Sequence, residues 1–140
     1  DIHFSKKVEC DVENVRVPSM ILQPVVENAV NHGIRNIDWE GHIDLSVERW
    51  NDHIEISVRD NGLGMTGEQI QRVLSKKVHS SSGEGDSTGI GMNNVISRLE
   101  LYYERDGLME IYSEGEGMGT EVVINIPLER SEKNVQNPDC

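Results

Sequence analysis

The residues whose types could do chemistry fall in three places along the chain. Asn28, Asn31, His32 and Arg35 lie three or four apart, a spacing that puts them on one face of a helix. Asp60-Asn61-Gly62-Leu63-Gly64 gathers a carboxylate, an amide and two glycines into one short run. Gly89-Ile90-Gly91 leads into a segment with helical spacing. Taken singly, each has a plain explanation, since Asp, Asn and Gly are the commonest turn formers and glycine suits a tight approach to a helix. A dinucleotide fingerprint is set aside: the third glycine position holds Asn94, and the run follows a loop rather than a strand. No GxxxxGK followed by Ser or Thr occurs, which excludes a P-loop. His3, His32, His42, His53 and His79 are scattered and form no HExxH pair or Cys–His cluster, which speaks against zinc. The linear order shows no Ser-His-Asp arrangement, and a spatial one stays open.

Bulk composition narrows the classes further. The chain has 140 residues, one domain's worth, enough for a core that needs no disulfide or metal. Its formal net charge of −12 makes it a poor general binder of nucleic acid or anionic membrane. Any phosphate site must work locally, through backbone N–H groups, a metal ion and a few nearby cations. Cys10 and Cys140 form no framework of paired spacings, and a reduced, cytosolic setting is the simplest reading. No stretch is long and apolar enough to span a membrane, and no signal peptide is visible. The start at Asp1 without a methionine suggests a piece of something longer, although processing gives the same start.

These residues need elements to position them. Ile2 to Cys10 reads weakly as an opening strand. Met20, Ile21, Val25, Ala29 and Val30 recur at helical spacing, with Pro18 at the start, Pro24 as a kink or restart, and Gly33 as a C-terminal stop. Ile43, Leu45 and Val47, then Ile54, Ile56 and Val58, alternate on either side of Asn51-Asp52, a β-hairpin pattern that ends at Asp60. Thr66 with Gln69 is a capping box that opens a short helix through about Leu74. Lys76 to Thr88 is rich in serine, glycine and charge and reads as a loop. A helix follows in which Val95, Leu99 and Tyr102 share a stripe, ended by Asp106-Gly107. Leu108–Ser113 and Thr120–Leu128 are two further strands joined by the turn Gly115 to Gly119. Residues 129–140 are polar and read as a disordered tail. Hairpins without strict βα alternation predict an α+β two-layer sandwich, a mixed, mostly antiparallel sheet covered on one face by about three helices.

Taken together and in order, the three clusters say more. Glu27-Asn28-Ala29 with His32-Gly33, then Asp60-Asn61-Gly62-Leu63-Gly64, then Gly89-Ile90-Gly91-Met92 resemble the N box and the two glycine boxes of the GHKL/HATPase superfamily, shared by histidine kinases, gyrase, Hsp90-type chaperones and MutL. Gln23-Pro24-Val25-Val26-Glu27-Asn28-Ala29-Val30-Asn31-His32-Gly33-Ile34 and Gly89-Ile90-Gly91-Met92-Asn93-Asn94-Val95-Ile96-Ser97-Arg98-Leu99 look more specifically like the LytS/YesM-like sensor histidine kinases. The resemblance covers roughly Val17 to Leu128, and a closing Gly119-Thr120 adds to it. It implies the Bergerat-type form of the sandwich. Residues 1–128 would be the ATP-binding catalytic domain.

What the resemblance implies for single residues is specific. Asn28 falls at the family's Mg²⁺-binding asparagine, a hard neutral oxygen, with the rest of the coordination from water and phosphate. Asp60 falls at the aspartate that accepts from the adenine amino group, where guanine's carbonyl would not fit. Gly62 and Gly64 would let the backbone pass close to the base. Gly89 and Gly91 would do so beside the phosphates. Met65, Ile90 and Met92 would line the adenine pocket. Asn31, His32 and Thr120 would complete the nucleotide site. Lys76, with Lys77, His79 and the serine run, would form a lid over ATP. Arg98 follows the second glycine box, as a phosphate contact or a surface ion pair.

Two departures matter. Pro24 lies where the superfamily's ATPases carry a water-activating carboxylate, so transfer to a histidine is expected rather than hydrolysis. The lid lacks a phenylalanine box, Phe4 being the one phenylalanine. By resemblance, the domain binds Mg²⁺ and ATP and positions the γ-phosphate for a histidine on dimerisation helices of a two-component sensor kinase, which serves a response regulator. The domain would be cytoplasmic, under a membrane-bound parent, with no nucleic acid partner and no membrane contact of its own. An anti-sigma serine kinase of the same superfamily and a non-catalytic nucleotide-sensing module are the alternatives.

Overall fold

The computed structural model describes residues 2–8, 19–75 and 87–128, with side chains for all of these except 19–20 and 87–90. Cys10, Lys76, Lys77, His79, Cys140 and the tail 129–140 lie outside the described residues. The strands are β1 (Ile2–Val8), β2 (Gly41–Arg49), β3 (His53–Asp60), β4 (Met109–Tyr112) and β5 (Thr120–Pro127). The helices are α1 (Ser19–Asn28), α2 (Gly67–Leu74) and α3 (Ser87–Tyr103), and α1 runs straight into a π-helical segment, Ala29–Ile34. The strands form one sheet in the order β1-β2-β3-β5-β4. β1 pairs parallel to β2, and the remaining pairs are antiparallel. This is the expected α+β mixed sheet with three helices. Among the described residues, no helix is long and apolar enough to cross a membrane.

Strand periodicity sorts the two sheet faces. Ile43 and Leu45 on β2, Ile54, Ile56 and Val58 on β3, and Val122, Ile124 and Ile126 on β5 are buried together with Ile21, Val25, Val95 and Leu99 from the helices. Burying each such side chain contributes about 1.5–3 kcal/mol, and this continuous core fixes where the helices lie on the sheet. The β2–β3 hairpin turns at residues 51–52, closed by a 2.8 Å bond from the Trp50 N–H to the His53 carbonyl. β1 is an edge strand exposed along its whole length.

Three expectations change. The first helix does not stop at Gly33: it widens, and the Arg35 N–H bonds to the Val30 carbonyl at 3.0 Å, a π-type i→i−5 contact. Gly33 is glycine because of what packs against it, described below. The stripe on α3 runs through Tyr103, one turn beyond Leu99, rather than Tyr102, which is exposed and stacks edgewise on Tyr103. Finally, α3 begins at Ser87, so Gly89 and Gly91 lie inside its first turns rather than ahead of it.

α2 opens as anticipated. The Thr66 hydroxyl accepts from the Gln69 N–H at 3.1 Å, and the Gln69 side-chain oxygen accepts from the Thr66 N–H at 2.9 Å. Thr66→Ala removes one half of this box. It should cost about 1 kcal/mol, seen as a drop in Tm of roughly 3–6 °C in a domain of this size.

Candidate functional site

Where the first helix, the end of β3 and the β4–β5 turn meet, three stretches of backbone cross almost in contact. Asp60 is the last residue of β3. The inward alternation Ile54, Ile56, Val58 carries its carboxyl onto the core face, where it is 7% exposed. A Cβ on Gly33 would stand 2.7 Å from Asp60 Oδ2 and 2.8 Å from Oδ1. A Cβ on Gly62 would stand 1.7 Å from the Gly33 carbonyl oxygen. Gly64, at φ 75°, and Gly119, at φ 75°, are equally hemmed in, 2.0 Å from the Gly115 oxygen and 2.2 Å from the Asp60 oxygen. Hydrogen bonds stitch the crossing: Leu63 N–H to the Gly33 carbonyl at 2.8 Å, Gly117 N–H to Leu63 at 2.7 Å, Gly119 N–H to Gly62 at 3.1 Å. Gly62 and Gly64 thus admit neighbouring protein backbone, a tighter demand than close approach to a ligand.

Asn61 latches this loop to β2. Its side-chain oxygen accepts from the His42 N–H at 2.7 Å, its amide donates to the Glu40 carbonyl at 2.9 Å, and its own carbonyl accepts from the Trp39 indole at 2.7 Å. Ser113 holds the other side: its hydroxyl accepts from the Met65 N–H at 3.0 Å and donates to the Gly119 carbonyl at 2.6 Å.

A cavity of about 440 Å³ opens over the crossing. Asn28, His32, Asp60, Gly64, Met65 and Thr120, all singled out in the sequence, line it. Gly33, Leu63, Gln69, Arg72, Val73, Glu116 and Gly117 line it too. Asp60 is held by the Gly62 N–H, 2.8 Å from Oδ1, and by the Thr120 N–H. Burial nonetheless pushes its carboxyl above the ordinary value, outweighing the pull of those two donors. Asp60 lines the cavity and two backbone donors do not exhaust a carboxylate's acceptor capacity, so the site has a desolvated acceptor at its wall.

Asn28 sits at the junction of α1 and the π segment. Its side-chain oxygen is buried and has no hydrogen-bond partner among the described residues. Such an atom costs about 1–3 kcal/mol until something pairs with it. A hard cation fits that need, and Asn28 is a suitable neutral ligand. No group of three or more His, Cys, Asp or Glu among the described residues could hold a metal, so most of the coordination would come from water and ligand oxygens.

The other expected residues are placed as follows. Asn31 is exposed and lines a separate hollow with Val30, Ile34, Arg35, Ile37 and Trp39, away from this cavity. The π turn explains it: with more residues per revolution, the residue four on (His32) returns over Asn28, and the residue three on falls short. Met92 is 2% exposed in the core. Gly62 stands beneath the cavity, bonded to Asp60. Gly89, Ile90 and Gly91 lie in the opening turns of α3. A Cβ on Gly91 meets nothing within 4 Å among the described residues. Arg98 lies on α3, beyond the cavity lining.

Sequence reasoning missed the contribution of α2. Gln69 and Arg72 are three apart on a helix whose start the capping box had already fixed, so their shared face could have been read. It also missed Ser113 and Glu116, which reach the site only through the β4–β5 turn.

A mixed sheet roofed by helices, with a buried carboxylate and an unpaired amide oxygen around one cavity, defines a class whose sequence profile can be tested directly. The profile of the histidine kinase-, DNA gyrase B- and HSP90-like ATPases matches residues 17–130, and the chain belongs to that family. Sensor histidine kinase YpdA of Escherichia coli (strain K12) is 33% identical over 125 residues, 84% of this chain and 19% of that protein. Sensor protein LytS of Staphylococcus epidermidis is 30% identical over 133 residues, 95% of this chain and 21% of that protein. The chain therefore spans about a fifth of the length of these curated relatives. Among solved structures, the catalytic domain of histidine kinase ThkA matches with a TM-score of 0.62 at 22% identity, covering 90% of this chain and 80% of that one. Full-length ShkA in complex with AMPPNP matches with a TM-score of 0.64 at 19% identity, covering 90% of this chain and 25% of that one. At such identities the structural likeness speaks for the fold.

Proposed function

We propose that this domain binds ATP with Mg²⁺ and presents the γ-phosphate to a histidine carried by other segments of a sensor kinase. The observation that carries this reading is the buried Asp60 carboxylate, 7% exposed, lining the same cavity as the unpartnered oxygen of Asn28. Asp60 would accept from the adenine amino group, with Thr120 beside it and Met65 against the base. A guanine carbonyl would face the carboxylate instead and be repelled. Asn28 would ligate Mg²⁺, which when bound supplies neutralisation of charge on the terminal phosphates. His32, over Asn28 on the π segment, would donate to a phosphate oxygen. Among the described residues nothing lies within 4 Å of a Cβ at Gly91, and the charge of a phosphate suits the N–H groups at the start of α3.

The catalytic contribution would be placement and charge neutralisation. The relatives' greater length leaves room for phosphoacceptor helices and a route to a response regulator. The test is labelled ATP. Alone, the chain should remain unlabelled; joined to the phosphoacceptor helices of its parent kinase, it should yield phosphohistidine. Labelled histidine on the isolated chain, or phosphoserine on a separate protein, would contradict this assignment. Asn28→Ala should remove the Mg²⁺-dependent part of ATP binding, about tenfold in Kd, and leave Mg²⁺-free binding unchanged in the same titration.

A further inference from the structure

We propose that Arg72 is the phosphate-chain cation of this site, an inference that rests on the nucleotide-binding reading. Arg72 lies in the last turn of α2 and lines the cavity shared by Asn28 and Asp60. Among the described lining residues, it is the one side chain with a permanent positive charge, in a lining that also holds the carboxyl groups of Asp60 and Glu116. In a chain of net charge −12, a triphosphate needs such a local counter-charge.

The position is built on both sides. Val73, next along α2, is 4% exposed, and its carbonyl accepts from the buried Asn93 side chain of α3 at 2.9 Å. The backbone at Arg72 is therefore fixed against the helix whose opening turns carry Gly89 and Gly91. The guanidinium itself reaches solvent. It is 50% exposed and pairs with Glu68, 85% exposed, at 3.6 Å across one helical turn. A solvent-exposed i,i+4 pair of this kind contributes little and is readily exchanged. A phosphate offers the guanidinium a bidentate, doubly charged partner instead. Within the cavity that Arg72 lines, the phosphate chain would compete with Glu68 for the guanidinium.

The experiment titrates the full chain, with Mg²⁺ present, against ATP and against adenosine. Arg72→Ala should weaken ATP binding by about tenfold or more and leave adenosine binding as it was. Arg72→Lys should recover part of the loss, because the charge returns without the fork. Glu68→Gln, which removes the competing carboxylate, should tighten ATP. Unchanged ATP binding in Arg72→Ala, or an equal loss for ATP and adenosine, would overturn the assignment, while ATP binding by the unaltered chain would keep the nucleotide reading. If the unaltered chain binds neither ligand, the nucleotide reading itself falls, and the role of Arg72 with it.

Discussion

Asp60→Asn should weaken ATP binding by about a hundredfold or more, leaving the fold intact. The amide oxygen must take over acceptance from the Gly62 N–H, now 2.8 Å from Oδ1, and from the Thr120 N–H. The amide nitrogen then faces the cavity and sets a donor against the adenine amino donor, in a position already 7% exposed and hard to hydrate. Stability should move the other way. Burial raises the Asp60 carboxyl above its ordinary value, so the folded chain holds that proton more tightly than the unfolded chain does. The penalty for ionising it is complete at pH above the folded-state pKa. It is relieved as pH falls through that value towards the ordinary 3.8. Asp60→Asn never incurs it. The variant should melt above the unaltered chain at neutral pH, and the gap should narrow on acidification. Thermal melts across pH, beside nucleotide titration at neutral pH, read both signs from one protein. A variant that loses stability and binding together would mean that Asp60 is a structural brace.

Gly62→Ala should be the most damaging added methyl among the described glycines. Its Cβ would lie 1.7 Å from the Gly33 oxygen, 2.2 Å from its carbon and 2.8 Å from its Cα. Main chain cannot swing aside as a side chain can, and the Leu63 N–H to Gly33 bond would be forced apart. The expected cost is about 3 kcal/mol or more, read as a fall in Tm of roughly 10–15 °C. Gly91→Ala is the matched control. Nothing among the described residues lies within 4 Å of its Cβ, and it sits inside α3. A glycine there sacrifices about 0.5–1 kcal/mol of helix stability relative to alanine. The alanine variant should therefore melt higher while binding ATP less well, since its methyl enters space that no described residue fills. That pair of results would separate the two glycines by mechanism, Gly62 serving the backbone crossing and Gly91 the proposed ligand.

Much of this was legible in the chain, for identifiable reasons. Alternation at Ile54, Ile56 and Val58, carried one step further, lands on Asp60, so a carboxylate occupies an inward strand position. Thr66 and Gln69 set the start of α2 to the residue. Short-range signals of this kind survive in sequence because one element's pattern suffices. The misreadings share the opposite property. Gly33 looked like a helix stop; its glycine is demanded by Asp60, twenty-seven positions away in sequence and in van der Waals contact in space. Asn31 was placed on the site's face by α-helical spacing that a π segment does not obey. Ser113 carries no local signal at all, because its task is to bond Met65 and Gly119 across the β4–β5 turn.

The central claim is that the cavity over Asp60 is an adenine site, and calorimetric titration of the unaltered chain tests it most directly. With Mg²⁺ present, ATP should bind saturably at one site per chain, and GTP under the same conditions should give no saturable heat. Equal affinity for the two nucleotides, or no binding of ATP to a chain shown to be folded, would contradict it.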